Sequence, residues 1–200
     1  MPTASRAKHK FCRRIGQCLW GDPKCPSVKR PYAAGPHGKG RRAKLSTYGE
    51  LLMEKQKLRN YYAISEKQLR IAFAKAKSGL GLTHEKLFRS LEMRLDALVY
   101  RAGFAPTIFA AKQIVNHGHI LVDGKRVDRS SCVIKEGQVI SIDAAKSPAA
   151  AEAAKKSNCI IPPYMEVDLD NLKATLVRAP QLEEIPVPVK IMSVVEYYAR

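Results

Sequence analysis

The chain has 200 residues, of which 46% are hydrophobic, enough for one or two modest cores but too few for a large multidomain enzyme. It carries 35 Lys and Arg against 18 Asp and Glu, a formal net charge of +17, and such an excess favours a polyanionic partner because like charges oppose compaction. Twelve of the cations but only one acidic residue lie within residues 1–45, which is typical of a basic arm that binds nucleic acid.

Membrane and secretion signals are lacking in the sequence. An anionic membrane would also attract the arm, but the arm has no apolar face of the kind that interfacial helices carry. No run of about 18 apolar residues is present, and the first ten residues, MPTASRAKHK, lack the apolar core of a secretory signal. We therefore expect a cytosolic protein whose five cysteines are reduced thiols or metal ligands and not disulfides.

The arm contains a cluster of soft metal ligands, His9, Cys12, Cys18 and Cys25. The spacing is not the paired Cys-x2-Cys arrangement, yet three cysteines and one histidine form a complete tetrahedral set for a closed, structural Zn²⁺ site. The alternative is four incidental residues in a loop that RNA orders. The arm is otherwise rich in Pro, Gly and cations with almost no apolar periodicity, so we expect it to be irregular and ordered by a partner, a metal, or both.

Helical patterns begin at Ser46. The first predicted helix, STYGELLMEKQKLRNYY, leaves Lys55, Lys57 and Arg59 available to solvent or ligand. A second helix follows from Ser65, and a third from Thr83, which we expect to close near Gly103. The third helix is predicted from a leucine stripe at Leu87, Leu91, Leu95 and Leu98.

Strands begin after a short helix that Thr107 can cap. HILVDGKRV is predicted to form a hairpin around Asp123-Gly124, and CVIKEGQVISI repeats the pattern with a turn at Glu136-Gly137. Further on we expect a short helix or linker, another strand pair and a terminal helix. The predicted fold class is α+β: a basic irregular N-terminal arm, an all-helical domain, and an α/β RNA-binding module with a small antiparallel sheet. These parts span residues 1–45, 46–92 and 93–143, with a linker helix and additional strands over 144–187.

RNA binding requires cations for phosphates and planar or aromatic groups for splayed nucleotides. Side chains that share helix faces or follow the hairpin turn could form the walls of a cationic groove, the alternative being an ordinary solvated surface. The candidate RNA-binding residues are Arg6, Lys8, Lys10, Arg13, Arg14, Arg30, Tyr32, His37, Gly38, Arg41, Arg42, Lys44, Lys55, Lys57, Arg59, Arg70, Arg94, Arg101, Lys112, Gln113, Asn116, His117, Lys125 and Arg126. No nucleophile–base pair stands in a recognisable motif, so we expect neither catalysis nor a small-molecule substrate.

Several motifs together resemble one known family. RLDALVYRAG, AAKQIVNHGHI and VDGKRV, in this order, resemble the RNA-binding domain named after the fourth protein of the small ribosomal subunit. RPYAAGPHG, LSTYGELLMEKQKLRNYYAISEKQLR and VVEYYAR are similar to the arm, first helices and C-terminus of that ribosomal protein family. Pro36 departs from the family pattern, in which Gln is usual, and residues 144–159 are richer in alanine than the typical linker.

The resemblance implies a structural protein of a bacterial or organellar small ribosomal subunit. Members bind small-subunit ribosomal RNA and nucleate assembly of the subunit body. They influence decoding accuracy together with the fifth small-subunit protein, which is their neighbour, and with the twelfth. They also line the channel through which messenger RNA enters, where Arg41, Arg42 and Lys44 match the family's cations. The resemblance further implies that the terminal helix, residues 188–200, completes the helical domain.

Some members of the family hold Zn²⁺ with four cysteines in this part of the arm. Here His9 stands at the first ligand position, Cys12 and Cys25 match, and Cys18 is displaced. A stand-alone RNA-binding regulator or ribosome-recycling factor that uses the same module is the alternative function. The long basic arm and the full-length resemblance speak against it.

Overall fold

A computed structural model describes residues 9–40, 44–144, 146–155 and 160–199. The chain divides into two compact units: a terminal unit of Met1–Lys67 and Val187–Arg200, and a central unit of Gln68–Pro186. These units cross the boundaries of the four predicted segments, whose division stays a prediction. Among the described residues, no helix has the length and apolar character needed to span a membrane.

The described part of the chain contains both helices and strands. In chain order, the helices are α1 (Lys10–Ile15), α2 (Pro26–Lys29), α3 (Thr47–Tyr61), α4 (Glu66–Ser78), α5 (Thr83–Glu92), α6 (Leu95–Arg101), α7 (Ile108–Asn116), α8 (Pro148–Lys155) and α9 (Ile191–Ala199), and the strands are β1 (Ile120–Val122), β2 (Lys125–Arg126), β3 (Val139–Ile142), β4 (Met165–Asp168) and β5 (Lys173–Leu176). A short 3₁₀ helix covers Leu182–Glu184. The predicted α+β class is confirmed.

The described part of the arm is less irregular than its composition predicts, since it contains α1 and α2. Cys12, Leu19 and Cys25 are buried, so a small local core forms around the cysteines. Pro26 occupies the first position of α2, where its missing N–H is not needed. This local core could not be predicted from the composition of the arm, because its few buried residues follow no helical or strand periodicity.

In the terminal unit, α3 and α9 pack against each other. The hydroxyl of Ser46 accepts a hydrogen bond from the Gly49 amide (3.2 Å) and so caps α3. In α9, the Tyr198 hydroxyl donates a hydrogen bond to Glu66 (3.1 Å), the first residue of α4. Val194 of α9 and Leu58 of α3 are fully buried, so the terminal helix closes an apolar face that α3 alone would expose to water.

The central unit is built on a five-stranded antiparallel sheet in the order β2-β1-β3-β5-β4. Asp123 and Gly124 both have positive φ (49° and 77°), as a two-residue turn between right-twisted strands requires. The predicted hairpin at this turn is therefore confirmed, and so is the strand pair β4–β5. Strand β5 pairs with β3, so these two later strands extend the sheet of the module predicted over residues 93–143.

Two predictions about the central unit are wrong. The helix predicted from Thr83 to Gly103 is two helices, because Arg94 is extended (φ −72°, ψ 144°) and its backbone bridges Val133. The hairpin predicted at Glu136-Gly137 does not form. The residues before that turn pair with the backbone at Met93 and Arg94, while β3 pairs with β1 and β5.

The core of the central unit lies between this sheet and helices α6, α7 and α8. Its fully buried members include Leu98, Phe104, Val115, Ile120 and Ile140. Three alanines of α8 also belong to the core, namely Ala150, Ala151 and Ala154. The alanine-rich segment is therefore a packed helix over residues 148–155, where small side chains allow close approach.

Candidate nucleic-acid interface

The end of α7 and the β1–β2 hairpin form one polar corner of the central unit. Thr107 caps α7 by accepting a hydrogen bond from the Ala110 amide (3.1 Å), while Ile108, Ala111 and Val115 face the core. This orientation leaves Gln113 exposed, and it leaves Asn116 half-buried and His117 exposed at the helix end.

Gly118 allows the hairpin to reach this helix end. It has a positive φ (71°), and a Cβ at this position would overlap the guanidinium group of Arg126. Arg126 donates a hydrogen bond to the carbonyl of His117 (3.3 Å), where a cation also complements the negative end of the helix dipole. Three predicted contacts, His117, Lys125 and Arg126, therefore lie exposed at one corner.

Arg94 and Lys112 are placed differently from the sequence-based expectation of an open cationic wall. Both bind Asp96, which is 1% exposed. Arg94 donates to its two oxygens through Nε (3.0 Å) and Nη2 (2.8 Å), and the Lys112 ammonium lies 3.5 Å away. Burial lowers the pKa of Lys112, and the charge of Asp96 partly opposes this shift. These two cations neutralise a buried carboxylate, and little of Arg94 is available to RNA.

Arg101 is also buried and belongs to a second ionic group. Its guanidinium binds the carboxylate of Glu92, which also accepts a hydrogen bond from the Tyr164 hydroxyl (2.8 Å). Burial and the neighbouring Glu92 charge raise the pKa of Tyr164 above its usual range. Arg94 and Arg101 thus bind different carboxylates and do not line a common open face.

In the arm, Arg13 holds the loop that follows Pro31. It donates hydrogen bonds to the carbonyls of Tyr32 (3.1 Å) and Ala33 (3.3 Å), and its guanidinium lies over the Tyr32 ring at 5.1 Å. The same loop carries the candidates His37, which is exposed, and Gly38, which is half-buried. Arg13 therefore positions the loop, a role that the sequence analysis did not assign to it.

The remaining candidates differ in how much they are exposed. Lys55 is buried, because its ammonium group lies between Glu66 (3.0 Å) and the Tyr197 ring (4.8 Å). This placement corrects the prediction that Lys55 is open to solvent. Lys57 binds Glu54 and is half-buried, as is Arg59. Besides His37, the exposed candidates outside α7 and the corner are Lys10, Arg14, Arg30, Lys44 and Arg70.

Four candidates lie outside the described residues: Arg6, Lys8, Arg41 and Arg42. Of the three cations assigned to the messenger RNA channel, Lys44 alone is described, and it is exposed. Direct RNA contact by any of the candidates stays a prediction.

The four predicted metal ligands come together. The ligand atoms of His9, Cys12, Cys18 and Cys25 all lie within 4.8 Å of one another, and Cys25 Sγ is 3.1 Å from His9 Nδ1. A tetrahedral zinc with bonds of about 2.3 Å to sulfur needs ligand atoms roughly 3.8 Å apart. The set therefore fits Zn²⁺ in number and chemistry, its ligand atoms lie near the spacing of a tetrahedral site, and the displaced Cys18 is part of the cluster.

The protonation of the thiols is uneven. Burial, reinforced by negative charge on Cys25 and Cys18, raises the pKa of Cys12 to about 12. Burial also acts to raise the pKa of Cys25. Hydrogen bonds from Ser27, whose hydroxyl lies 3.1 Å from Cys25 Sγ, together with those from Cys18 and Cys12, outweigh the effect of burial and lower that pKa. Of these two thiols, Cys25 therefore loses its proton more readily, whereas the raised pKa of Cys12 opposes the deprotonation that metal binding requires.

Comparison with known proteins places the chain in a family. The family model "Ribosomal protein S4/S9 N-terminal domain" matches residues 4–92, and the model "S4 domain" matches residues 93–140. Over the full length of both chains, the identity is 47% to the "Small ribosomal subunit protein uS4" of Ruegeria sp. (strain TM1040) and 45% to that of Dinoroseobacter shibae. The same protein of Rhodospirillum rubrum is 47% identical, with 97% of each chain covered.

The chain belongs to the uS4 family. This result confirms the resemblance that the sequence motifs indicate, and because the uS4 relatives are ribosomal proteins and not enzymes, it also confirms that no catalysis is to be expected. The metal-ligand cluster and the Arg13 loop lie within the N-terminal family match, and the polar corner at Gly118 lies within the S4 domain.

The sequence-based predictions for this uS4 family member did not include the buried carboxylates that determine which of the cations are exposed. Asp96 and Glu92 are the buried partners of three predicted RNA contacts. A signal was present for Asp96, since it follows Arg94 by two residues at the start of a helix. No local signal could link Glu92 with Tyr164, which is 72 positions away.

Proposed function

We propose that the chain binds small-subunit ribosomal RNA directly, as a structural protein of the bacterial small ribosomal subunit. The observation that carries this proposal is 47% identity to a uS4 protein over the whole of both chains, with family matches on the arm, the helical part and the S4 domain. The net charge of +17 supplies the electrostatic attraction that phosphate backbones require.

Co-sedimentation tests the proposal and separates it from the stand-alone regulator. A structural component stays with mature small subunits at about one copy each through a high-salt wash, whereas a factor that leaves in the wash contradicts the proposal. Binding of the free chain to ribosomal RNA should also weaken steeply with salt, because log K falls by about 0.7–0.9 per neutralised phosphate for each decade of salt.

The proposal extends to assembly and decoding. We propose that the chain nucleates assembly of the subunit body, contacts the fifth small-subunit protein, and affects accuracy together with the twelfth. Order-of-addition reconstitution tests nucleation: later proteins should bind poorly when this chain is withheld. A misreading reporter in cells tests the effect on accuracy, and unchanged misreading across substitutions at the contact with the fifth protein would contradict it.

We further propose that Arg41, Arg42 and Lys44 line the channel through which messenger RNA enters. The exposure of Lys44 and the density of positive charge around it support this role. Lys44→Ala combined with changes at both arginines should slow translation through structured messenger RNA. Lys190→Ala, an exposed cation of the same unit that is not assigned to RNA, is the matched control.

For the ligand cluster we propose a structural Zn²⁺ held by His9, Cys12, Cys18 and Cys25. Support comes from the donor set and from ligand atoms that lie within 4.8 Å of one another. A closed site of this kind contributes folding free energy and leaves no position for a substrate. The purified chain should contain about one zinc with its cluster thiols protected, and well under one zinc with freely titratable thiols would end this proposal.

A further inference from the structure

Trp20 lies between the ligand cluster and helix α3. Its indole Nε1–H donates a hydrogen bond to the carbonyl of Tyr61 (3.2 Å). Its ring meets the His9 ring edge to face, with centroids 5.9 Å apart and an interplanar angle of 89°. One side chain thus touches both a ligand of the cluster and the last residue of α3.

The contact with Tyr61 is chemically specific. The last carbonyls of a helix have no amide partner within it, so they accept hydrogen bonds from outside. An indole can only donate, through a single N–H. The preceding residue, Leu19, is buried, which anchors the segment that presents Trp20.

The contact with His9 bears on metal binding. His9 Nδ1 already faces Cys25 Sγ at 3.1 Å, so the orientation of its ring decides whether Nδ1 points at the centre of the cluster. Groups that surround a ligating histidine orient the ring and commonly change metal affinity. An edge-to-face aromatic neighbour restricts the rotation of the ring in this way.

We propose that Trp20 is a positioning residue that couples metal binding at the cluster to the docking of the arm on the C-terminal end of α3. The proposal rests on the proposed zinc site. A metal that fixes His9 also fixes the Trp20 ring, and this favours the hydrogen bond to Tyr61. Because such coupling is reciprocal, an arm already docked on α3 binds the metal more tightly.

Trp20 is the sole tryptophan of the chain, so its emission reports on this contact without a label. The metal-free full-length chain is titrated with Zn²⁺, and with Co²⁺, whose absorption bands count the thiolate ligands. We expect the Trp20 emission to change in step with metal uptake and to reach its end point at one equivalent. Hydrogen exchange at amides 61–64 should slow in the same titration.

Trp20→Phe keeps an aromatic ring beside His9 but removes the N–H donor. We expect it to weaken Co²⁺ binding by about threefold to tenfold, the range for one lost neutral hydrogen bond. It should also abolish the metal-dependent slowing of exchange at amides 61–64. Tyr48→Phe is the matched control, because it removes one hydroxyl contact, with Tyr197 (3.4 Å), at the opposite end of α3. Its Co²⁺ affinity should equal that of the unmodified chain.

The two proposals fail in different ways. If the unmodified chain shows no cobalt–thiolate bands, the metal site is wrong and the coupling falls with it. If cobalt binds normally while Trp20 emission and exchange at amides 61–64 stay unchanged, the site stands and the coupling is overturned. Equal Co²⁺ affinity in the Trp20→Phe variant also overturns the coupling. The emission and exchange measurements need no variant, so they decide the matter even if Trp20→Phe fails to fold.

Discussion

Replacing Asp96 by Asn should strongly destabilise the central unit. The carboxylate is 1% exposed and accepts hydrogen bonds from Arg94 (3.0 and 2.8 Å) and from the Ala97 amide (3.0 Å), with Lys112 at 3.5 Å. Asn removes the negative charge but leaves two cations in place, one 7% exposed and the other 18% exposed in its side chain. Breaking a buried ion pair in this way costs about 3–5 kcal/mol, because the surviving charges stay desolvated and unpaired.

The destabilisation caused by Asp96→Asn should depend on pH, in a direction that the environment of Lys112 determines. Burial already lowers the pKa of Lys112, and removing Asp96 removes the neighbour that opposes this shift. A lysine whose folded pKa lies below its unfolded value binds fewer protons when folded. The free energy of unfolding therefore rises with pH between those two values. The deficit of Asp96→Asn should shrink as the pH approaches the usual lysine range.

Urea unfolding followed by far-UV circular dichroism, at neutral and alkaline pH, measures both effects. Lys146→Gln is the control, because Lys146 is 58% exposed in its pair with Asp143 (3.1 Å) and should contribute about 0–1 kcal/mol. If Asp96→Asn unfolds within about 1 kcal/mol of the unmodified chain at neutral pH, the buried ionic group does not have the role assigned to it. A deficit that grows with pH would refute the part assigned to Lys112.

Three further predictions follow from other contacts. Arg13→Lys keeps the charge but loses the two hydrogen bonds to the loop carbonyls, so RNA binding should weaken severalfold with an unchanged salt slope. The control Lys29→Arg, at an exposed arm cation that is not a candidate RNA contact, should change little. Filter binding at several salt concentrations checks both variants, and an unchanged affinity of Arg13→Lys would contradict the positioning role. Tyr164→Phe removes a hydrogen bond to the buried charge of Glu92 and should cost about 1.5–3 kcal/mol in urea unfolding, whereas a loss below about 0.5 kcal/mol would contradict that role. Because the pKa of Cys12 is raised to about 12, zinc uptake should release protons, and zinc affinity should fall as the pH falls. Calorimetry in buffers of different ionisation enthalpy counts the released protons. If no protons are released, Cys12 is not a ligand.

Turns and helix starts that depend on the residue types at a few neighbouring positions agree with the sequence-based predictions. The hairpin at Asp123-Gly124 forms because both residues tolerate the positive φ that a two-residue turn demands. Ser46 and Thr107 each cap the helix predicted after them. The proximity of His9, Cys12, Cys18 and Cys25 could be predicted because Cys and His are rare and reactive, and the structure brings them together although their spacing follows no standard motif. That they bind a metal stays a prediction.

The errors arise where a distant partner overrides a local pattern. The leucine stripe continues through Met93 and Arg94, yet the helix breaks there because the backbone of Arg94 pairs with Val133. The second hairpin fails for the same reason, since its first strand is taken up by that contact. The exposure of cations could not be read from helix faces, because a charged side chain next to a buried carboxylate turns inward.

The amino-acid sequence by itself determined the family, the excess of positive charge, the cluster of Cys and His residues in the arm and the local turns, all of which depend on residue type and short spacing. The tertiary structure alone decided which of the predicted RNA-binding cations are exposed. Lys55, Arg94 and Arg101 are held by Glu66, Asp96 and Glu92, while His117, Lys125 and Arg126 stay exposed at one corner. The reason is that burial is a property of the whole packed unit, and a charge is free to bind a phosphate only where the fold has not already neutralised it.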